Sequence, residues 1–309
     1  MNGQNKILIT GGSGMVGSFL KQIMPKATYV SSKDYNLTSE KHVAKLFFDH
    51  KPKIIIHLAA KVGGIMDNIN KPAEYFTDNV LINTLLFDYA YRNGVEKFIG
   101  ILSTCIYPDV FENYPMKEED LHLGPPTKTN FSYGYAKRCM AVQIDAYNKQ
   151  YNTNYNYLIP CNLYGQFDKF EDYNGHFVSV LIKKIHKAKE NNDDNIMLYG
   201  SGKPLRQFMY GLDLANVIKY YVENDISENL NVANPEIYSI DEIANIALKA
   251  CDATHIKIKY DKTKPDGQYR KDVSIEKLKK ILGNDLKITS LEEGIKKTYK
   301  IMQKEWKKK

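Results

Sequence analysis

Along the first half of the chain, short runs of aliphatic and β-branched residues alternate with longer stretches whose apolar positions recur every three to four residues. Lys6-Ile7-Leu8-Ile9-Thr10 predicts a first buried strand, and Phe19, Leu20 and Ile23 set the spacing of a helix behind it. Residues 27–31 predict a second strand. Lys53-Ile54-Ile55-Ile56-His57-Leu58-Ala59-Ala60, bounded by Pro52 and by small residues, predicts a third. A helix over 73–92, a strand over 97–102, a helix from Tyr133 to about Tyr151 and a strand over 155–160 continue the series. Continuously apolar strands alternating with helices argue for an α/β fold, a doubly wound parallel sheet covered on both faces.

Gly11-Gly12-Ser13-Gly14-Met15-Val16-Gly17 joins the first strand to its helix. Strand, glycine turn, helix is the context in which a glycine pattern signals dinucleotide binding, as in a Rossmann sheet. Gly11 permits the tight turn, Gly14 lets backbone approach a pyrophosphate, and Gly17 lets the helix sit close on the strand. The helix N-terminus adds free N–H groups and positive dipole for the phosphates. The second strand ends in Ser31-Ser32-Lys33-Asp34. An acid directly after this strand suits a ribose 2′-hydroxyl; two hydroxyls and a lysine come first here, which favours a 2′-phosphate and hence NADP.

Past Asn162-Leu163-Tyr164-Gly165 the alternation lapses into a polar, aromatic loop reaching Asn174-Gly175-His176. Helices are predicted over 177–190, 211–223, 239–251 and 290–303, with a short strand over 229–232 and a turn at Lys264-Pro265-Asp266-Gly267. The expected organisation is a dinucleotide-binding domain over 1–165, to which 208–232 returns, and a smaller C-terminal substrate domain over most of 166–309.

Composition adds bounds. With 309 residues, 43% hydrophobic and 26% charged, the chain is ordinary for a globular protein with a sizeable core. No apolar run approaches the ~20 residues that cross a bilayer, so no membrane partner is expected. The first residues lead straight into a strand without a signal-peptide layout. Cys105, Cys139, Cys161 and Cys251 are scattered without disulfide or metal-ligand spacing, so no metal is expected and a reducing cytoplasm is the expected compartment. The net charge of +7 could suggest nucleic acid. Much of it lies between Lys296-Lys297 and Lys307-Lys308-Lys309, where a solvated helix end accounts for it, so nucleic acid is not an expected partner.

The candidate chemistry centres on Asn130-Phe131-Ser132-Tyr133-Gly134-Tyr135-Ala136-Lys137. Tyr133 and Lys137 lie four apart, about one helical turn, on one face. A phenol titrates near ~10, and an ammonium held beside it favours the phenolate, which makes the tyrosine a usable acid or base. In open α/β sheets ligands bind beyond the carboxyl ends of the strands, so Ser103, Thr104 and Cys105, after the fourth strand, stand where chemistry belongs.

Taken together, the glycine loop, His57-Leu58-Ala59-Ala60, the strand-end serine and Tyr-x-x-x-Lys resemble the extended short-chain dehydrogenase/reductases that modify nucleotide sugars. Within them the GDP-L-fucose synthase branch, reductase-epimerases of GDP-4-keto-6-deoxymannose, is most similar. Lys61-Val62-Gly63-Gly64-Ile65, Ser103-Thr104-Cys105-Ile106-Tyr107-Pro108, Asn162-Leu163-Tyr164-Gly165, Gly200-Ser201-Gly202-Lys203-Pro204-Leu205-Arg206-Gln207-Phe208 and Lys264-Pro265-Asp266-Gly267 carry the resemblance through nearly the whole chain.

The resemblance implies that Tyr133 donates a proton to a C-4 carbonyl oxygen, that Lys137 lowers the tyrosine pKa and holds the nicotinamide ribose, and that Ser103 polarises the carbonyl. It implies Cys105 as the base beside the ketone and His176 as the acid on the opposite face. NADP is expected against Gly11, Gly12, Ser13, Gly14, Met15, Val16 and Gly17, then Ser32 and Lys33, then Leu58, Ala59 and Ala60, and finally Lys137, Pro160, Asn162, Leu163 and His176. Lys184, Tyr199, Arg206 and Asp266 fall where the family contacts GDP, and a homodimer through the helices at 73–92 and from Tyr133 is implied. Each residue has a plain structural alternative: Cys105 a buried small hydrophobe, His176 a helix N-terminal residue, Asp266 a turn residue before glycine. Two positions depart from the family pattern: Phe208-Met209-Tyr210-Gly211-Leu212-Asp213 replaces a His-Val-Asp-Asp run, and Lys184 stands where some relatives have arginine. Three other activities compete: plain C-4 reduction of a related GDP-4-keto sugar such as a heptose, epimerisation without net reduction, and nucleotide binding without chemistry.

Overall fold

The computed structural model describes residues 6–171, 175–264 and 266–307. Asn174 of the expected loop, Pro265 of the expected turn, residues 1–5 and Lys308-Lys309 lie outside the described residues.

The chain opens with β1 (Ile7–Thr10), α1 (Met15–Ile23), β2 (Thr28–Val30), α2 (Glu40–His50), β3 (Ile54–His57), α3 (Ile65–Asn70), α4 (Pro72–Arg92), β4 (Lys97–Ile101), α5 (Phe131–Tyr151) and β5 (Asn154–Pro160). It continues with β6 (Asn162–Tyr164), α6 (Phe177–Asn191), β7 (Asn195–Tyr199), β8 (Leu205–Arg206), β9 (Phe208–Tyr210), α7 (Gly211–Glu223), β10 (Leu230–Val232), β11 (Tyr238–Ser239), α8 (Ile240–Ala250), β12 (Lys257–Asp261), β13 (Arg270–Lys271), α9 (Glu276–Leu282) and α10 (Leu291–Trp306).

Six strands pair in parallel in the order β10-β5-β4-β3-β1-β2. Leu8, Ile55, Phe98 and Tyr155 stand in one register row across four of them, each fully buried. From β1 the chain steps one way to β2 and the other way through β3, β4 and β5, so the order reverses between β1 and β3. Right-handed crossovers then put the connecting helices on opposite faces. α4 packs against α2 and α5, while α1 packs against α7. A crevice opens at the switch point, beyond the carboxyl ends of β1 and β3.

β3 is shorter than its apolar run: Leu58, Ala59 and Ala60 leave the sheet after His57. The departing segment runs against Gly11, at φ +71, where a Cβ would lie 2.7 Å from the Ala59 nitrogen. Backbone passes over backbone at that point, which leaves room for glycine alone. α2, β12 and α9 were not expected from the pattern; α2 buries only Val43, Leu46 and Phe47 in an otherwise polar stretch.

The remaining elements make a second layer of small sheets, β11-β8-β13, β12-β7 and β6-β9. α10 packs on α8 and α6 through Ile295, Tyr299 and Met302. Trp306, near the end of α10, stacks on His186 of α6 at 4.5 Å between ring centroids, and Phe170 of the β6–α6 loop meets it edge-on at 5.5 Å. Among the described residues no helix is long and apolar enough to cross a membrane.

Candidate active site

The glycine loop closes on itself through Gly14 N–H to the Gly11 carbonyl at 2.9 Å and is tied to β2 by Gly12 N–H to the Val30 carbonyl at 2.9 Å. Gly14 begins α1 with no side-chain cap, so the first-turn N–H groups at Met15, Val16 and Gly17 face the crevice end of the helix. Below the loop lies a buried network. The Thr10 hydroxyl accepts from Ala59 N–H (3.3 Å) and meets His57 Nδ1 at 2.7 Å, while His57 Nε2 meets Asn83 Oδ1 at 3.1 Å. Burial, with the Lys137 charge adding to it, pushes the His57 pKa down to about 3, so this imidazole is neutral.

At the end of β2, Asp34 does not point out as a free acid. Its carboxylate accepts from the Ser31 N–H and hydroxyl, both at 2.8 Å. Ser32 and Lys33 are left exposed beside it.

Ser103 follows β4 and caps the short turn Thr104–Ile106, its hydroxyl accepting from Cys105 N–H at 3.3 Å. Lys137, in α5, is almost wholly buried and donates to the Ile101 carbonyl at 2.8 Å. Burial brings its pKa down to about 7. Tyr133, one turn earlier, lies edge-on to Tyr75, with ring centroids 6.4 Å apart. The Val-Gly-Gly-Ile stretch finds its use here: Tyr75 donates to Asp67 at 2.6 Å, and a Cβ on Gly63 would collide with that phenol. The expected lowering of the Tyr133 pKa is reversed. Burial, then the neighbouring Cys105 and Tyr75, hold the phenol above its ordinary value, and the Lys137 ammonium is directed at the β4 carbonyl.

Cys105 is half-buried, and Lys271 of β13 donates to its sulfur at 3.1 Å. Burial pushes the thiol up, but the Lys271 charge and hydrogen bonds from Ser103, Lys271 and Asn130 outweigh it, so its pKa is lowered. His176, just ahead of α6, meets Asp168 at 2.8 Å. The other Asp168 oxygen accepts from Ser179 at 2.5 Å. Burial lowers the imidazole, and Asp168, with a smaller contribution from Cys105, raises it further than burial lowers it. A thiol biased towards thiolate and an imidazole biased towards imidazolium therefore sit close enough to influence each other.

Of the residues expected at GDP, Asp266 accepts from the Ser201 N–H at 2.5 Å and hydroxyl at 2.7 Å. Arg206 donates to the Leu205 carbonyl at 2.8 Å. The Lys184 ammonium donates to the Met197 carbonyl at 2.9 Å and lies over the Tyr199 ring at 5.4 Å, with the Lys264 ammonium at 6.0 Å from the same ring. Tyr199 is itself 66% exposed, a flat ring flanked by two cations. Pro160 ends β5, and Asn162 and Leu163 begin β6, where Asn162 donates to the Gln207 carbonyl at 3.0 Å. The departure at Phe208-Met209-Tyr210 is internal: all three are buried in β9, paired with β6.

Sequence reasoning missed Lys271, Asp168 and Ser179, and gave Asn130 no role. Lys271 lies between Arg270 and Asp272, and Asp168 beside Lys169, so neither stands out from its charged neighbours, and neither has a spacing to its partner. Only the fold brings them to Cys105 and His176.

A parallel sheet with a glycine loop at its switch point, and a tyrosine and lysine one turn apart beside a strand-end serine, defines a nucleotide-dependent oxidoreductase or epimerase. The chain belongs to the NAD dependent epimerase/dehydratase family, whose model matches residues 7–233. It is 37% identical to the GDP-L-fucose synthase of Dictyostelium discoideum, over 94% of this chain and 93% of that protein. It is 35% identical to the GDP-L-colitose synthase of Yersinia pseudotuberculosis, over 95% and 96%. A crystal structure of a GDP-L-fucose synthetase from Naegleria fowleri bound to NADP superposes with a TM-score of 0.89 at 33% identity, covering 99% of this chain and 95% of that one.

Proposed function

We propose that this chain is an NADPH-dependent enzyme that reduces a GDP-4-keto-6-deoxy sugar at C-4 and epimerises it at C-3 and C-5, as in GDP-L-fucose synthesis. The observation that carries the reading is the pair Cys105 and His176, the thiol held 3.1 Å from the Lys271 ammonium next to Ser103 and the imidazole 2.8 Å from the Asp168 carboxylate. Plain reduction needs no such pair.

A 4-ketone acidifies the C–H bonds on either side of it. The Cys105 thiolate takes one of these protons: the C–H bond breaks, an S–H bond forms, and the electron pair moves to the carbonyl oxygen, held by the Ser103 hydroxyl. His176 then gives its proton to the opposite face of that carbon, and the oxygen's pair returns as the carbonyl. In the reductive step Tyr133 gives its phenolic proton to the C-4 oxygen. A phenol held above its ordinary pKa is protonated at neutral pH and suits this donation. NADPH, when bound, supplies the hydride. The cradle fits it: uncapped N–H groups at α1, backbone passing over Gly11 without room for a Cβ, and an Asp34 carboxylate engaged by Ser31 beside exposed Ser32 and Lys33. Residues 1–165 with 208–232 hold the dinucleotide and most of 166–309 holds GDP, with Lys184, Tyr199, Arg206 and Asp266 as its contacts.

The exposed faces of α4 and α5, with Phe76, Leu81, Phe131 and Val142, support a homodimer. Four free cysteines support a cytoplasmic setting.

The test is NADPH oxidation with a GDP-4-keto-6-deoxy sugar in deuterated water, with products read by mass spectrometry. Wild type incorporates deuterium beside the ketone. Cys105→Ser still oxidises NADPH but loses incorporation, while Tyr133→Phe keeps incorporation and loses reduction by about 10²–10⁴-fold. Reduction without any incorporation would sink the epimerase half and leave a plain C-4 reductase. Incorporation without NADPH loss would leave an epimerase.

A further inference from the structure

Cys105 and Lys271 are 166 positions apart in sequence and 3.1 Å apart in space. Nothing about that meeting is accidental to the chain path, because the segment carrying Lys271 is tied on both sides to the loop carrying Cys105. Gln268 donates to the Pro108 and Asp109 carbonyls at 3.2 and 3.0 Å. The Tyr114 hydroxyl donates to the Arg270 carbonyl at 3.0 Å. Met116 N–H reaches the Asp272 carbonyl at 3.0 Å, and Ser274 N–H returns to the Met116 carbonyl at 2.7 Å. Lys271 also stands opposite Arg206 in the β8–β13 ladder, so the same small sheet presents two cations at this end of the site.

We propose that Lys271 is a positioning residue that holds Cys105 as a thiolate, so that the base is assembled only when β13 is docked against the loop after β4. The other charged or titratable groups near the sulfur are Arg206 of β8, His176 ahead of α6 and Tyr133 of α5. Ser103 and Asn130 face it as neutral donors. Among these Lys271 is the cation within hydrogen-bonding distance. A thiolate beside an ammonium keeps its charge at a pH where a free thiol, near ~8.5, is protonated. Arg206 is directed at carbonyl oxygens instead.

The kinetic half of this inference rests on Cys105 being the base of the proposed reaction; its chemical half does not. Iodoacetamide alkylation is followed against pH in the full chain without substrate, with each cysteine peptide quantified by mass spectrometry. Cys139 is the internal control, a partly buried thiol that burial pushes up and that lies away from Lys271. In wild type Cys105 alkylates with a midpoint below that of Cys139. Lys271→Met raises the Cys105 midpoint by one pH unit or more, so that below it the rate falls about tenfold, while Cys139 does not move. Lys271→Arg, keeping the charge, restores most of the shift. Melting temperatures within a few degrees of wild type establish that both variants are folded. Solvent deuterium exchange into the substrate falls with Lys271→Met and recovers at higher pH. A Cys105 midpoint unchanged by Lys271→Met, or moved only by His176→Gln, overturns the inference. A raised midpoint with undiminished exchange overturns Cys105 as the base and leaves the ion pair intact.

Discussion

Asp168 has only 4% of its side chain exposed, 2.8 Å behind His176, and its charge decides which form that imidazole takes. The folded-state pKa of His176 is raised above the unfolded value of ~6.5. The stability this contributes is therefore complete below about 6.5 and is lost as pH rises through the folded pKa. The difference in melting temperature between wild type and Asp168→Asn should be largest in mild acid and shrink on the alkaline side. Because His176 is half-exposed, solvent screening keeps the whole effect small. In the same variant the alkaline limb of solvent exchange should move to lower pH. A temperature difference independent of pH would mean that Asp168 acts through packing alone. At β2, Lys33→Glu should cost NADPH affinity on the order of tenfold or more relative to NADH, read by titration calorimetry, since it removes one exposed attraction of roughly 1 kcal/mol and adds a repulsion of similar size. Equal wild-type affinities for the two cofactors would remove the basis for NADP choice. At this scale Tyr133 and Lys137 could be picked out by their spacing and Ser103 by its strand end, while Cys105 and His176 were expected in their roles only through the family resemblance. The sequence did not show Asp168 or Lys271, whose partners are defined by loops that only tertiary packing aligns. Nor did it show that burial would raise the Tyr133 pKa, because spacing along a helix says nothing of what covers it.

Elements are joined beneath the cofactor loop by Thr10 of β1, His57 of β3 and Asn83 of α4, and Asn83 donates in turn to the Ala136 carbonyl of α5 at 3.5 Å. The strand that starts the glycine loop and the helix that carries Tyr133 thus share one polar thread through an apolar interior. Its cost is acid sensitivity. The folded protein refuses at His57 a proton that the unfolded chain accepts below ~6.5, so stability falls as pH drops from there towards about 3. His57→Gln should flatten urea stability against pH in that window by up to about 1.4 kcal/mol per pH unit. Parallel curves for the two proteins would show that His57 is protonated in place. The strands and long helices were legible to within a few residues, since their apolar runs are unbroken and their ends are marked by glycine, proline or small residues. α2 was missed because its buried positions are few and its remaining residues are charged, and β12 because its lysines mask an edge strand.

For the molecule as a whole, α4 and α5 lie side by side with Gln143 donating to Thr84 at 2.8 Å across them, and Tyr91 stacks on Tyr151 at 4.0 Å where they end. Apolar Leu81 and Val142 face outward, 41% and 52% exposed. Two such faces meeting about a twofold axis would make a four-helix bundle. Light scattering should give twice the chain mass, and Leu81→Arg with Val142→Glu should halve it without loss of melting temperature. A monomer in wild type at micromolar concentration would remove this interface from the account. The doubly wound order of strands could be anticipated from the alternation, whereas the docking of β13 onto the loop after β4 could not, because a two-residue strand leaves no periodic trace.

Trp306 is the chain's single tryptophan, closed between His186 and Phe170. Phe170 lies two residues beyond Asp168, in the loop that leads to His176. The indole emission of this protein is therefore a signal from one address, with no label and no background from a second indole. Burial lowers the His186 pKa, so the ring against the indole is neutral in ordinary buffers and does not quench it as an imidazolium would. A ligand that moved Phe170 against the indole would change its colour and brightness. Titrating the native chain with GDP while following that emission would report whether the Asp168 loop moves before a single bond has changed.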